Sequence, residues 1–226
     1  MNQLVSHIKK NIGEREVIFS EERNFLYLKV AKTAGTSMYR GIMKNEISDV
    51  CGHKDNPQEF LSWWNDLTDE NIDNYFKFTF IRNPFDRLVS AFNHVVLHGR
   101  GKDITFEDFV KNGLSENNTH WRPQSNYVET DGYQIVDFVG KYENLKEDWS
   151  YVANKIGVTN ILPQIRWNPW PHNLVRHLEV LTKGGYHQLM DSQTVVSDYR
   201  KYYNDELVDI VSKYYKKDLE LFNYEY

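Results

Sequence analysis

Cysteine is almost missing from this chain. Among 226 residues there is one, Cys51, so no disulfide can close within the chain and no cysteine zinc cluster can be assembled. Such sparing use of cysteine fits a reducing compartment. Basic charge is not in excess either. Lys and Arg number 27 against 32 Asp and Glu, a net charge of −5, which excludes nucleic-acid binding driven by overall charge and leaves room only for a local basic cleft. No apolar run approaches the roughly 18 residues that a membrane-spanning helix needs. The first residues, Met1 to Gly13, carry no apolar leader core. The expectation is a soluble, cytoplasmic protein without a membrane span. Aromatics are plentiful, with 15 Tyr, 12 Phe and 6 Trp, most of them core material. The length suits one large domain, residues 1–226.

Hydrophobic spacing orders the chain. Leu4, Val5, Ile8 and Ile12 predict a short helix within residues 1–16, ended by Gly13. A strand over residues 25–30 and a helix to about Asn45 follow. Residues 46–56 read as a short strand or an extended loop. Pro57 opens a helix with Phe60, Leu61 and Trp64 on one face, and a shorter one runs from Asp69 to Tyr75. The run Phe76-Lys77-Phe78-Thr79-Phe80-Ile81 predicts a strand buried on both faces. Asn83 then caps a helix with Pro84 in its first turn and Asp86 beside the open amides, running to about Leu97. A short helix covers Phe106 to Lys111, and residues 112–133 read as mostly loop. Ile135 to Val139 predicts a third strand, and Asn144 to Ile156 a helix stopped by Gly157. Residues 163–200 read as an insertion or cap, with a helix from His172 to Leu181 and a turn at Lys183-Gly184-Gly185. A helix from Asn204 to Leu221 closes the chain. Strands alternating with helices predict an α/β fold with a central, mainly parallel sheet, in which ligands bind beyond the carboxyl ends of the strands.

Lys32 and Arg82 each follow a predicted strand, which places both at one edge of that sheet. Around Lys32 runs Ala31-Lys32-Thr33-Ala34-Gly35-Thr36-Ser37, a turn of small and hydroxylated residues between strand and helix. Small residues let backbone amides approach an anion, and the helix start aims unpaired N–H groups at it. The plainer reading is a small-residue turn with Lys32 in solvent. Arg82 can reach along its helix toward Ser90 to hold a second phosphate; equally, it can pair with Asp86 as a structural clamp. The spacing of a Walker A loop is absent, since Lys32 precedes Gly35. Asp137 is the sole, weak candidate for a magnesium ligand.

The loop Lys32-Thr33-Ala34-Gly35-Thr36-Ser37 and the segment Tyr75-Phe76-Lys77-Phe78-Thr79-Phe80-Ile81-Arg82-Asn83-Pro84-Phe85-Asp86-Arg87-Leu88-Val89-Ser90 together resemble the PAPS-dependent sulfotransferases of the carbohydrate type, the Golgi-type and bacterial "sulfotransferase family 2" group. PAPS is 3′-phosphoadenosine 5′-phosphosulfate. The resemblance continues through Trp121-Arg122-Pro123-Gln124, Asp137-Phe138-Val139-Gly140-Lys141-Tyr142-Glu143-Asn144-Leu145 and Tyr199-Arg200-Lys201-Tyr202-Tyr203 to the end of the chain. It implies a P-loop-like three-layer fold and sulfuryl transfer from PAPS to a hydroxyl-bearing acceptor, a saccharide, without a metal. It implies that residues Lys32, Thr33, Ala34, Gly35, Thr36 and Ser37 bind the 5′-phosphosulfate, and that Arg82 and Ser90 bind the 3′-phosphate. His53, which occupies the family's position for a histidine ahead of the Tyr75 strand, is then the general base, with Lys32 stabilising the leaving nucleotide.

Departures from the pattern are Ala31 for the usual Pro, Phe85 for the usual Trp, and a longer stretch over residues 164–198. Trp121, Arg122 and Gln124, with Trp167 and Trp170, are candidates to line the acceptor cleft, and Lys183 and Arg200 to touch nucleotide; packing is the alternative for the tryptophans. Two other functions stay open on sequence: an ATP- and magnesium-dependent phosphotransferase, and a non-catalytic nucleotide- or glycan-binding module.

Overall fold

The computed structural model describes residues 4–13, 16–43, 51–52, 57–97, 104–114, 118–162 and 198–226. They fall into two compact units, Met1–Asn83 with Arg122–Gln164, and Pro84–Trp121 with Ile165–Tyr226.

The first unit holds the sheet. It begins with α1 (Leu4–His7), which continues as a wider turn over Ile8–Ile12 and stops at Gly13, where φ is 89°. Strands β1 (Val17–Ser20) and β2 (Phe25–Leu28) form a hairpin, followed by α2 (Gly35–Met43), β3 (Cys51–Gly52), α3 (Pro57–Asp66), α4 (Asp69–Ile72) and β4 (Phe76–Ile81). Helix α5 (Pro84–Leu97) and helix α6 (Phe106–Gly113) belong to the second unit. The chain then returns with a small hairpin, β5 (Glu129–Thr130) and β6 (Tyr133–Gln134), then β7 (Phe138–Lys141) and α7 (Leu145–Ile156).

The strand order is β3-β1-β2-β4-β7. The pairs β2–β4 and β4–β7 are parallel, with Tyr27 opposite Phe78 and Phe80 opposite Gly140; β1 runs antiparallel to both neighbours. The sheet is therefore mainly parallel, as expected. Its alternation sorts side chains by face. Phe25, Tyr27, Phe78 and Phe80 pack against Met38 and Ile42 of α2 and against Trp149, Val152 and Ile156 of α7. On the other face Phe19 stacks on Trp63 of α3, ring centroids 3.7 Å apart, with Phe60 beside them. Each such buried side chain contributes about 1.5–3 kcal/mol of transfer free energy. These helices on both faces make the three layers. Gly140 is demanded by this packing, because a Cβ there would lie 2.4 Å from the Phe80 ring.

The second unit packs α5 and α6 against α8 (Asp205–Tyr214), which is followed by α9 (Lys216–Phe222). Phe85, Leu88, Val89 and Phe92 line the buried side of α5, while Asp86, Ser90, Asn93 and His94 are half-buried. The helix starts at Pro84 and ends at Leu97, as its sequence predicts. Helix α6 opens with a reciprocal Thr105–Asp108 cap. The Tyr215 hydroxyl donates to the Trp121 carbonyl, and that of Tyr203 to the Phe85 carbonyl at 2.9 Å.

Several boundaries differ from expectation. Strand β1 was not foreseen. The third expected strand starts three residues later, at Phe138, and Ile135 and Val136 are its buried approach. The stretch read as loop contains a turn over Gln124–Tyr127 and the β5–β6 hairpin, whose Asp131-Gly132 corner has positive φ at both residues. The closing helix is broken at Tyr215. The helix and turn expected within residues 163–197 lie outside the described residues. No described helix is long and apolar enough to cross a membrane.

Candidate functional site

Three neighbouring parallel strands, β2, β4 and β7, end at the same edge of the sheet. Beyond β2 comes the Lys32 loop, beyond β4 comes Arg82, and beyond β7 comes Tyr142. The edge is built from the loop outward. Lys32 and Ala34 have φ of 70° and 66°, in the left-handed region, with Thr33 between them. Alternating backbone hands turn successive amides toward one side, forming a concave nest for an anion. Each left-handed non-glycine residue costs about 1–3 kcal/mol, so the surroundings must hold it. Thr33 does so: it is fully buried, and its hydroxyl donates to the Val30 carbonyl at 2.9 Å. Gly35 follows, and a Cβ there would meet Lys29 Cγ at 2.7 Å. At the start of α2 the amides of Gly35 and Thr36 precede the first intrahelical bonds, made by Ser37 and Met38 to the Ala34 carbonyl, and such helix starts attract anions.

Two cations share this edge. Arg82 is buried, at 8 % exposure, and its Nη1 donates to the Lys32 carbonyl at 3.2 Å. Its guanidinium lies over the Tyr142 ring, 4.2 Å from the centroid. Burial, and then the positive charge of Arg82, hold the Lys32 ammonium down at about 8. No carboxylate among the described residues pairs with Lys32. A desolvated ammonium beside a guanidinium is unfavourable unless a third, negative group arrives. Chemically the edge suits a strongly charged phosphate- or sulfate-bearing ligand.

The expected site residues divide accordingly. Residues 32–37 and Arg82 come together. Ser90 lies on α5 in the second unit. His53 lies outside the described residues, as do Trp167, Trp170 and Lys183. Arg200 is exposed, its guanidinium over the Tyr199 ring.

Trp121, Arg122 and Gln124 were expected to face an acceptor, and instead are 5 %, 6 % and 0 % exposed. Trp121 packs edge-on against Phe109 in the second unit. Arg122 binds Glu16, the Tyr127 hydroxyl and the carbonyls of Asn11 and Ile12. Burial raises the Glu16 carboxyl, and the Arg122 charge opposes that rise. Gln124 binds the backbone of Arg82. Asp137, the candidate magnesium ligand, sits at the opposite edge of the sheet, before β7, where it accepts from the Lys77 amide at 2.7 Å and faces Lys77 Nζ at 3.4 Å.

Two neighbours at this edge go beyond the expected set: Tyr142, whose ring lies under the Arg82 guanidinium, and Glu143, whose carboxylate accepts from the Asn83 amide. The available signal was an aromatic and an acid a few residues past the third predicted strand, where β7 in fact ends at Lys141.

The fold is a three-layer α/β architecture whose strand ends carry an edge suited to an anion, and comparison with known proteins gives the class. Residues 15–225 match the Sulfotransferase family, and the chain belongs to it. It is 27 % identical over 189 residues to Carbohydrate sulfotransferase 14 of Danio rerio, covering 68 % of this chain and 51 % of that protein. It is 30 % identical over 175 residues to Carbohydrate sulfotransferase 14 of Mus musculus, covering 61 % and 46 %. An uncharacterized protein of Archaeoglobus fulgidus is 35 % identical over 87 residues, covering 38 % of this chain and 72 % of its own. The chain thus spans about half the length of the vertebrate relatives it matches. No solved structure matches it at a significant level.

Proposed function

We propose that this protein transfers the sulfuryl group of PAPS to a hydroxyl of a carbohydrate acceptor. The observation that carries the reading is the pairing of Lys32 and Arg82 at the mouth of a left-handed loop, with no carboxylate on Lys32 among the described residues. Family membership and the names of the relatives supply the chemical class. PAPS supplies the sulfuryl group and departs as PAP, 3′,5′-bisphosphoadenosine.

The residues divide the work. The amides at the start of α2, with Thr36 and Ser37, hold the phosphosulfate oxygens. Arg82 holds the 3′-phosphate. His53 takes the proton of the acceptor hydroxyl. As the acceptor oxygen bonds to sulfur, the bond from sulfur to the bridging oxygen breaks, and Lys32 neutralises the charge left on that oxygen. Preorganised donors of this kind are often the largest single term in catalysis.

Thermal-shift titration tests the reading at its base. PAP at 100 times its Kd should stabilise the protein by about 2.7 kcal/mol, with Mg-ATP giving less. Stabilisation by Mg-ATP alone would replace sulfuryl with phosphoryl transfer. PAP binding without sulfation of any saccharide in a broad acceptor panel would leave a binding module.

A further inference from the structure

Strand β4 ends at Ile81, whose ladder partner on β7 is Lys141. One residue later, Arg82 still has an N–H and a C=O to satisfy in a buried place. A side chain does it. The Arg82 amide donates to Gln124 Oε1 at 2.9 Å, and Gln124 Nε2 donates to the Arg82 carbonyl at 2.8 Å. This reciprocal pair is what a neighbouring peptide would make, so the carboxamide of Gln124 acts as one more rung of the sheet.

Gln124 is itself immobilised. It is fully buried and begins the turn Gln124–Tyr127, which Arg122 ties to Glu16 through the Tyr127 hydroxyl. The next amide, of Asn83, donates to Glu143 Oε1 at 2.6 Å. The Arg82 side chain is held as well, by the Tyr142 ring at 4.2 Å and the Lys32 carbonyl at 3.2 Å. An arginine side chain carries a large rotamer entropy. Fixing it during folding removes that loss from ligand binding.

We infer that Gln124, with Tyr142 and Glu143, is a positioning device that sets Arg82 for the 3′-phosphate and so selects 3′-phosphorylated nucleotides over those lacking that group. The inference rests on the PAPS reading above. It gives a task to two sequence segments, Trp121-Arg122-Pro123-Gln124 and Lys141-Tyr142-Glu143, that the transfer chemistry leaves idle. Gln124 touches no ligand in this account and acts only through Arg82.

The test is competitive binding of PAP and of adenosine 5′-phosphosulfate, which keeps the 5′ end and lacks the 3′-phosphate. Gln124→Met should weaken PAP about tenfold or more while changing adenosine 5′-phosphosulfate less than twofold. Tyr142→Leu and Glu143→Ala, at half-buried and exposed positions, should move the same ratio in the same direction and carry the test should Gln124→Met fail to fold. In an Arg82→Ala background, each should have no further effect on the ratio. Equal weakening of both ligands, or none, would reduce Gln124 to a purely structural residue and overturn the inference. A wild-type protein that bound the two nucleotides alike would instead remove the PAPS reading, and the two failures are separable.

Discussion

The guanidinium of Arg82 donates to the main-chain carbonyl of Lys32, at 3.2 Å, so the cation beyond β4 is fastened to the loop beyond β2. That single bond brings two positive side chains to one sheet edge. Burial, and after it the charge of Arg82, keep Lys32 well below its ordinary value, which makes the charge state of Lys32 the natural control on the site.

Nucleotide binding should therefore depend on pH. Lys32 is charged below about 8 and loses its proton as pH rises through that value. PAP affinity, and kcat/KM for PAPS, should be flat on the acid side of 8 as far as this group is concerned and should fall above it. A bound anion raises the lysine again, so PAP binding near pH 8 should take up a proton. Calorimetry in buffers of different ionisation enthalpy measures that uptake, and zero uptake would contradict the role given to Lys32.

Removing the charge should separate stability from activity. Lys32→Met should cost about 10²–10³ in turnover, the scale for losing a preorganised electrostatic donor. The same variant should be the more stable apo-protein below pH 8, by up to about 3 kcal/mol. The sign follows from a native pKa of about 8 against 10.5 for an ordinary lysine. The folded state disfavours the proton, the penalty is complete below 8, and it fades between 8 and 10.5. Urea denaturation of both proteins across that range gives the comparison.

Arg82→Lys should behave almost as badly as Arg82→Ala. A lysine keeps the charge but loses the planar fork and the stacking on Tyr142. A loss of about 1.5–3 kcal/mol in PAP binding is expected, or roughly 10- to 150-fold. Full retention of PAP affinity in Arg82→Lys would mean that charge alone suffices there.

His53→Ala should leave PAP affinity intact and lower turnover by about 10²–10⁴. Normal turnover would take His53 out of the mechanism.

The Arg122 lock offers a purely structural control. Arg122→Met leaves Glu16 buried without its counter-charge and should destabilise the protein by about 3–5 kcal/mol. Adding Glu16→Leu should restore much of that loss. A mild effect of the single variant, read by thermal unfolding, would show that water reaches Glu16.

The sequence made the middle of this sheet legible and its margins obscure. Phe76 to Ile81 is apolar almost throughout, and Asn83-Pro84 marks the following helix, so β4 and α5 could be read closely. The Lys32 loop was legible for a similar reason, small residues packed between two strong patterns. Strand β1 escaped because Val17-Ile18-Phe19-Ser20 is a short run directly before a stronger one. The Ile135–Val139 run has no internal mark for where ladder pairing begins, so its start was misplaced. Gln124 could not be understood locally at all. Its partner is 42 residues away, and a side-chain amide that imitates a peptide leaves no periodic trace. Trp121 and Arg122 looked like surface groups because an aromatic and a cation together suit a sugar. Their actual surroundings, a helix packing and a buried carboxylate, come from distant segments.

The contact between Gly140 and Phe80 has a consequence for how this protein can vary. With 2.4 Å between a Cβ at 140 and the Phe80 ring, neither position is free to change by itself. A methyl group at 140 must displace the Phe80 ring within the core it shares with Trp149, whereas a smaller residue at 80 opens a hole in the same place. Gly140→Ala and Phe80→Leu should each destabilise alone and largely repair one another when combined. The two positions form one unit of inheritance, in which an acceptable second substitution depends on the first having already occurred.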